Sequence, residues 1–118
     1  MNIKKIKKFI LHKIESEISP TFSYHNLNHT IYVLQECNHY IRRLKVNKEE
    51  AFLLRTAALL HDTGFLWTFN NHEERSIEYA KELLPEWGYT SPQITVICDL
   101  ILATRIPQKP KNKLEQII

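Results

Sequence analysis

A chain of 118 residues with 43% apolar side chains has the size and composition of one globular domain able to bury a core. Its formal charge of +3 is mild and concentrated in Lys4, Lys5, Lys7 and Lys8, so net charge gives no ground for expecting a nucleic-acid partner. No apolar run approaches the roughly 20 residues that span a bilayer, and no uninterrupted apolar stretch with a small-residue cleavage site marks a secretory signal.

Cys37 and Cys98 are far apart and have neither zinc-type nor redox-type spacing. Both read as reduced, buried thiols, which points to a cytoplasmic protein. Nothing in the sequence signals an oligomeric state.

Only two glycines occur, neither in an Asn-Gly or Asp-Gly pair, and apolar residues recur at three-and-four spacing nearly throughout. The expected class is all-α, a compact bundle of about five helices. At the N-terminus the lysines alternate with Ile3, Ile6, Phe9, Ile10, Ile14 and Ile18, the pattern of an amphipathic helix. Packing on its own domain with lysines in solvent is the preferred reading, and lying on an anionic membrane or nucleic-acid surface the lesser one.

Ser19-Pro20 breaks the pattern. A second helix is expected over about 26–44, with Leu27, Ile31, Leu34, Cys37, Ile41 and Leu44 as its stripe. After Val46-Asn47 a third, over about 48–62, is apolar almost all round, the mark of the most buried helix. Gly64 is its natural stop signal.

Residues 65–70 are aromatic and irregular. Asn71 with Glu74 three residues on resembles a capping box that opens a fourth helix through about 84, ended by Pro85 and Gly88. Ser91 with Pro92 starts a fifth, to about 105. Pro107 and Pro110 frame a stiff linker, and Asn112 with Glu115 opens a last helix of scarcely more than one turn before Ile117-Ile118. A start signal without a stop signal reads as a helix cut short, so residues 1–118 are expected to form a single domain incomplete at its C-terminus.

The chemistry gathers at histidines. His25 and His29 are four apart, hence neighbours on one face of the second helix, offset from its apolar stripe. His61-Asp62 closes the apolar third helix, where only a cation or a dense hydrogen-bond network keeps a carboxylate charged. Mixed imidazole and carboxylate ligands suit manganese, iron(II), nickel, cobalt or zinc better than calcium. Adjacent helical residues point roughly 100° apart, so the doublet alone also reads as two groups bonding separately at a helix end. The histidine pair about thirty residues upstream shifts the reading towards a metal site.

Tyr24-His25-Asn26-Leu27-Asn28-His29, then Leu60-His61-Asp62, then His72-Glu73-Glu74-Arg75-Ser76 together resemble the HD-domain superfamily of metal-dependent phosphohydrolases, over nearly the whole chain. The resemblance implies His29, His61 and Asp62 as ligands of one or two divalent transition-metal ions. It implies a phosphorylated small molecule as substrate, a phosphomonoester or phosphodiester of the nucleotide class. Tyr-His-Asn-x-x-His is also similar to the metal site of cyclic-nucleotide phosphodiesterases, which implies His25 as the general acid. An exposed helix-terminal histidine is the alternative for His25.

His72, at a helix start that favours anions, is assigned to the phosphate or a second metal. Glu74 reads as a first-turn acid and Arg75 as a solvated residue. The family's last metal-binding aspartate is expected a few residues beyond Ile118, so the site of this chain by itself is expected to be impaired for want of a fourth ligand. Asp99, beside Thr95 on the polar side of the fifth helix, is a poor substitute. A catalytically inactive HD-type domain binding a nucleotide or a protein is the alternative function. His12 and His39 read as surface residues. Tyr32, Tyr40, Phe65, Trp67 and Phe69 read as core or pocket-wall aromatics, with 65–70 a candidate wall beside a base.

Overall fold

The computed structural model describes residues 3–17, 20–66 and 72–103, with the side chains of 20–27 and 65–66 excepted. The helices are α1 (Ile3–Glu17), α2 (Pro20–Arg43), α3 (Lys48–Leu60), α4 (His72–Leu83) and α5 (Ser91–Leu102). Short 3-10 turns follow α3 at Thr63–Leu66 and α4 at Leu84–Trp87. No strand occurs among the described residues, and the fold is all-α as the periodicity predicts.

Helix α3 is the centre. It packs against α1, α2 and α5, while α4 lies on α5 and on the turn that leaves α3. Ala51, Leu53, Leu54, Ala57, Ala58, Leu59 and Leu60 are all buried, the alanines letting neighbouring helices approach closely. From α1, Ile6, Ile10 and Ile14 enter the core one turn apart, each contributing about 1.5–3 kcal/mol by burial. The exposed lysines of α1 point away, and no helix is long and apolar enough to cross a membrane.

Helix ends follow local chemistry. The Asn47 side chain accepts the Glu50 amide at 2.8 Å, and Glu49 and Glu50 complement the positive end of α3. Thr90 and Gln93 form a reciprocal capping box at α5, one residue before the expected Ser91 start. Gly88, at φ 86°, closes the turn after α4 in the left-handed region, and its amide bonds the Pro85 carbonyl.

Several expectations need correction. Helix α2 starts at Pro20, six residues early, because proline suits the first helical position and separates α1 from α2 without unwinding either. Among its described side chains the buried line is Thr30, Leu34, Cys37 and Ile41, while the side chain of Leu27 lies outside them. Ile31 lies half-buried to one side, and Leu44 sits exposed in the turn where Lys45 has φ 55°. Tyr32 and Tyr40 are not core aromatics, because they lie on the solvent side of α2 at 59% and 40% exposure. Helix α3 ends at Leu60, so His61 and Asp62 stand just beyond it. Gly64 makes no left-handed turn, and its role is steric.

Cys37 and Cys98 are buried and unpaired, and burial pushes the Cys37 thiol up to about 11. The linker at Pro107 and Pro110, the cap at Asn112 and the final short helix lie outside the described residues, as do Asn71, Trp67 and Phe69 and the side chain of Phe65.

Candidate metal centre

Three elements converge at the end of α3. Helix α2 brings His29, the C-terminal end of α3 brings His61 and Asp62, and the first residue of α4 brings His72. Asp62 stands in the middle. Its Oδ2 lies 3.3 Å from His29 Nε2 and 3.1 Å from His61 Nε2, while its Oδ1 lies 3.1 Å from His72 Nε2. His29 Nε2 and His61 Nε2 face each other at 3.3 Å. The His61 and Asp62 side chains are nearly buried, whereas that of His29 is 53% exposed, so the cluster opens to solvent on the α2 side.

The tautomer of His61 follows from its partners. Its Nδ1 lies 2.6 Å from the Ala58 carbonyl oxygen, which only accepts, so Nδ1 carries the hydrogen. In the neutral ring Nε2 is then left with its lone pair towards His29 and Asp62. This second contact, which fixes the ring and raises its basicity, is characteristic of metal-bound imidazoles. His72 has a comparable carboxylate neighbour, with Glu73 Oε2 3.5 Å from its Nδ1.

Distances give an independent test of fit. Metal–ligand bonds near 2.1 Å place adjacent donors about 3.0 Å apart in an octahedral site and about 3.4 Å apart in a tetrahedral one. The donor atoms of His29, His61 and Asp62 are separated by 3.1 to 3.3 Å, within that interval. Imidazole nitrogens facing each other at 3.3 Å also need a cation or a proton between them, because two lone pairs repel. The residues present therefore fit a divalent transition-metal ion.

The electrostatics of the free cluster agree. Burial works to lower the pKa of His61, but the hydrogen bond and charge of Asp62 and the Ala58 carbonyl outweigh it and raise the pKa. Burial likewise works to raise that of Asp62, and the bonded His61 with the neighbouring His29 and His72 outweighs it, holding the carboxyl below its ordinary range.

With this geometry in view, a comparison with protein families is informative: the HD domain model matches residues 26–118. The chain belongs to the HD domain family. HD domains form a superfamily of metal-dependent hydrolases that bind divalent metals. No curated protein and no solved structure matches the chain.

Of the residues singled out in this HD domain, His29, His61, Asp62 and His72 are brought together. His25 lies on α2 four residues before His29, and its side chain is outside the described residues. Asp99 is exposed on α5, as its polar-side placement predicts, and His12 and His39 are exposed too. Arg75 pairs with Glu78 at 3.4 Å along α4. An open groove of about 840 Å3, floored by Phe9, Leu11, Ile31 and Trp87, shares no lining residue with the cluster.

Three contributions do not read from the sequence: the Ala58 carbonyl, the Ser76 hydroxyl, and the close packing at Gly64, which reads there only as a helix stop. A backbone carbonyl leaves no mark in a motif. Ser76 does leave one, because it falls four residues after His72 and thus on the same face of α4.

Proposed function

We propose that this HD domain is a metal-dependent phosphohydrolase acting on a phosphomonoester or phosphodiester, with nucleotides as the substrate class. The observation that carries the proposal is the convergence of three imidazoles on the two oxygens of one nearly buried carboxylate at 3.1 to 3.3 Å. His29, His61 and Asp62 Oδ2 would hold one manganese, iron, nickel, cobalt or zinc ion, and Asp62 Oδ1 with His72 would face a second. Bound there, such an ion polarises a phosphoryl oxygen and lowers the pKa of a coordinated water into the neutral range.

The protein's own groups do the rest. The Ala58 carbonyl keeps the His61 lone pair aimed into the site, and the half-exposed His29 side marks the face open to substrate. His25, one turn before His29 on α2, is assigned to protonating the leaving oxygen. The likeness of Tyr24-His25-Asn26-Leu27-Asn28-His29 to cyclic-nucleotide phosphodiesterases favours a nucleotide. Two buried, unpaired thiols favour a reducing, cytoplasmic compartment.

The test is turnover. With Mn2+, Co2+ or Zn2+ supplied, the chain extended past Ile118 through the expected last aspartate should hydrolyse a generic mono- or diester such as p-nitrophenyl phosphate or its bis ester, and nucleotide phosphoesters more rapidly. His25→Ala is expected to lower kcat while leaving bound metal unchanged. Metal-loaded protein that turns over none of these would overturn the proposal in favour of a non-catalytic nucleotide- or protein-binding domain.

A further inference from the structure

His72 follows Asp62 by ten residues, so their approach depends on what joins α4 to the turn leaving α3. Among the described residues, one buried hydroxyl bridges that junction by hydrogen bonds from α4 to the turn. Ser76 Oγ accepts the Gly64 amide at 2.7 Å and donates to the His61 carbonyl at 3.0 Å. These two backbone groups flank Asp62, the carbonyl immediately before it and the amide two residues after it. A hydroxyl supplies one donor and accepts as well, so Ser76 uses both capacities to clasp the backbone around the ligand residue.

Gly64 fits the same junction sterically. A Cβ there would overlap the His72 carbonyl oxygen and stand 2.9 Å from Ser76 Oγ, so the start of α4 rests directly on the glycine backbone. Ser76 also lies one helical turn after His72, on the same face. The residue that clasps the Asp62 turn therefore belongs to the helix turn that carries His72.

We propose that Ser76 is a positioning residue of the metal centre, holding the Asp62 backbone and the start of α4 in the register that brings His72 Nε2 to Asp62 Oδ1. The proposal rests on reading the cluster as a metal site. It adds that the site's geometry is set from outside the ligands, by a side chain that touches none of the ligating atoms. Removing the hydroxyl keeps every ligand side chain but frees α4 to shift against the turn, so the loss should act through His72.

The experiment is Co2+ titration by isothermal calorimetry on the wild type, Ser76→Ala, His72→Ala and the double variant. Outer partners of metal ligands typically contribute 10- to 100-fold in affinity, so Ser76→Ala should weaken Co2+ binding about 10-fold. The double variant should bind within about 2-fold of His72→Ala alone, since contacts acting through one residue do not add. Thr56→Val removes an equally buried hydroxyl, bonded to Tyr89 at 2.7 Å on the α5 side, and should lower the melting temperature without changing Co2+ affinity.

Ser76→Cys keeps a similar shape with a weaker donor and is judged by the same criteria if the alanine variant does not fold. Ser76→Ala binding within about 2-fold of wild type would overturn the proposal while leaving the metal reading intact. So would losses that multiply in the double variant, or a His72→Ala titration unchanged from wild type. A wild type that binds no Co2+ would overturn both.

Discussion

Gly64→Ala is the most informative single substitution in the fold, because it adds one carbon where the structure leaves no room. The new Cβ would overlap the His72 carbonyl oxygen, lie 2.7 Å from its carbonyl carbon and lie 2.9 Å from Ser76 Oγ, where real contacts of this kind stay beyond 3.0 Å. Two of these atoms are backbone, so no side-chain rotation relieves the overlap. The first turn of α4 must retreat by roughly 1.6 Å to reach ordinary contact near 3.5 Å. Overpacking of this kind costs about 1–3 kcal/mol. Weakening the 2.7 Å bond from the Gly64 amide to Ser76 adds about 1 kcal/mol. The expected total of about 2–4 kcal/mol corresponds to a melting temperature lower by roughly 8–16 °C for a chain of this size.

Differential scanning calorimetry with chelator present measures that shift, and Co2+ titration of the folded variant measures what the displacement of His72 does to binding. A Gly64→Ala protein that melts within about 2 °C of wild type would refute the reasoning. It would mean that the turn and α4 are not in contact as described.

Further expectations follow from the same geometry. His29→Ala removes a side chain that is 53% exposed, so its unfolding free energy should stay within about 0.5 kcal/mol while metal affinity falls at least 10-fold; equal affinity by calorimetry would exclude His29 as a ligand. Leu54→Ala, at the fully buried centre of α3, should cost about 2–5 kcal/mol in urea denaturation, and a smaller loss would contradict the central place given to that helix.

The metal-free chain should have a bounded pH optimum. Asp62, held below its ordinary 3.8, contributes stability that is present above that value and lost as pH falls through its folded-state pKa. His61, raised above 6.5, contributes stability that is present below 6.5 and lost as pH rises through its folded-state pKa. Metal binding needs deprotonated imidazoles, so Co2+ affinity should instead rise across the upper part of that range. Chelator-treated protein whose unfolding free energy increases steadily from pH 6.5 to 8 would contradict the assignment of a raised His61.

Much of this was legible in the residues, for reasons that can be stated one by one. Ile6, Ile10 and Ile14, and the nearly all-apolar α3, announce their helices because burial on one side imposes a 3.6-residue period. His61 and Asp62 stand out because an imidazole and a carboxylate closing an apolar helix call for partners, whereas His29 and His72 stand out through the resemblance. The start of α2 was missed because Pro20 was read as a break, although proline equally begins a helix. Hydropathy favours Ile31 over Thr30 for the buried line, but helical phase turns Thr30 inward. The same phase puts Tyr32 and Tyr40 on the solvent side, against their reading as core or pocket-wall aromatics.

The supports of the site were hidden for a different reason. The Ala58 carbonyl and the Gly64 amide are backbone groups, present at every position, and only the fold selects the ones that matter. Ser76 leaves only its spacing from His72 in the sequence, and its complete burial between two backbone groups is what gives that spacing a meaning.

The central claim is that His29, His61 and Asp62 together bind a divalent transition metal. It is tested most directly by dialysing the purified chain against Co2+, removing excess ion, and measuring retained cobalt by mass spectrometry beside an Asp62→Asn variant shown by circular dichroism to be folded. The account predicts one or two equivalents of cobalt in the wild type and almost none in the variant. A wild type that retains no cobalt, or a folded Asp62→Asn that retains as much, would contradict it.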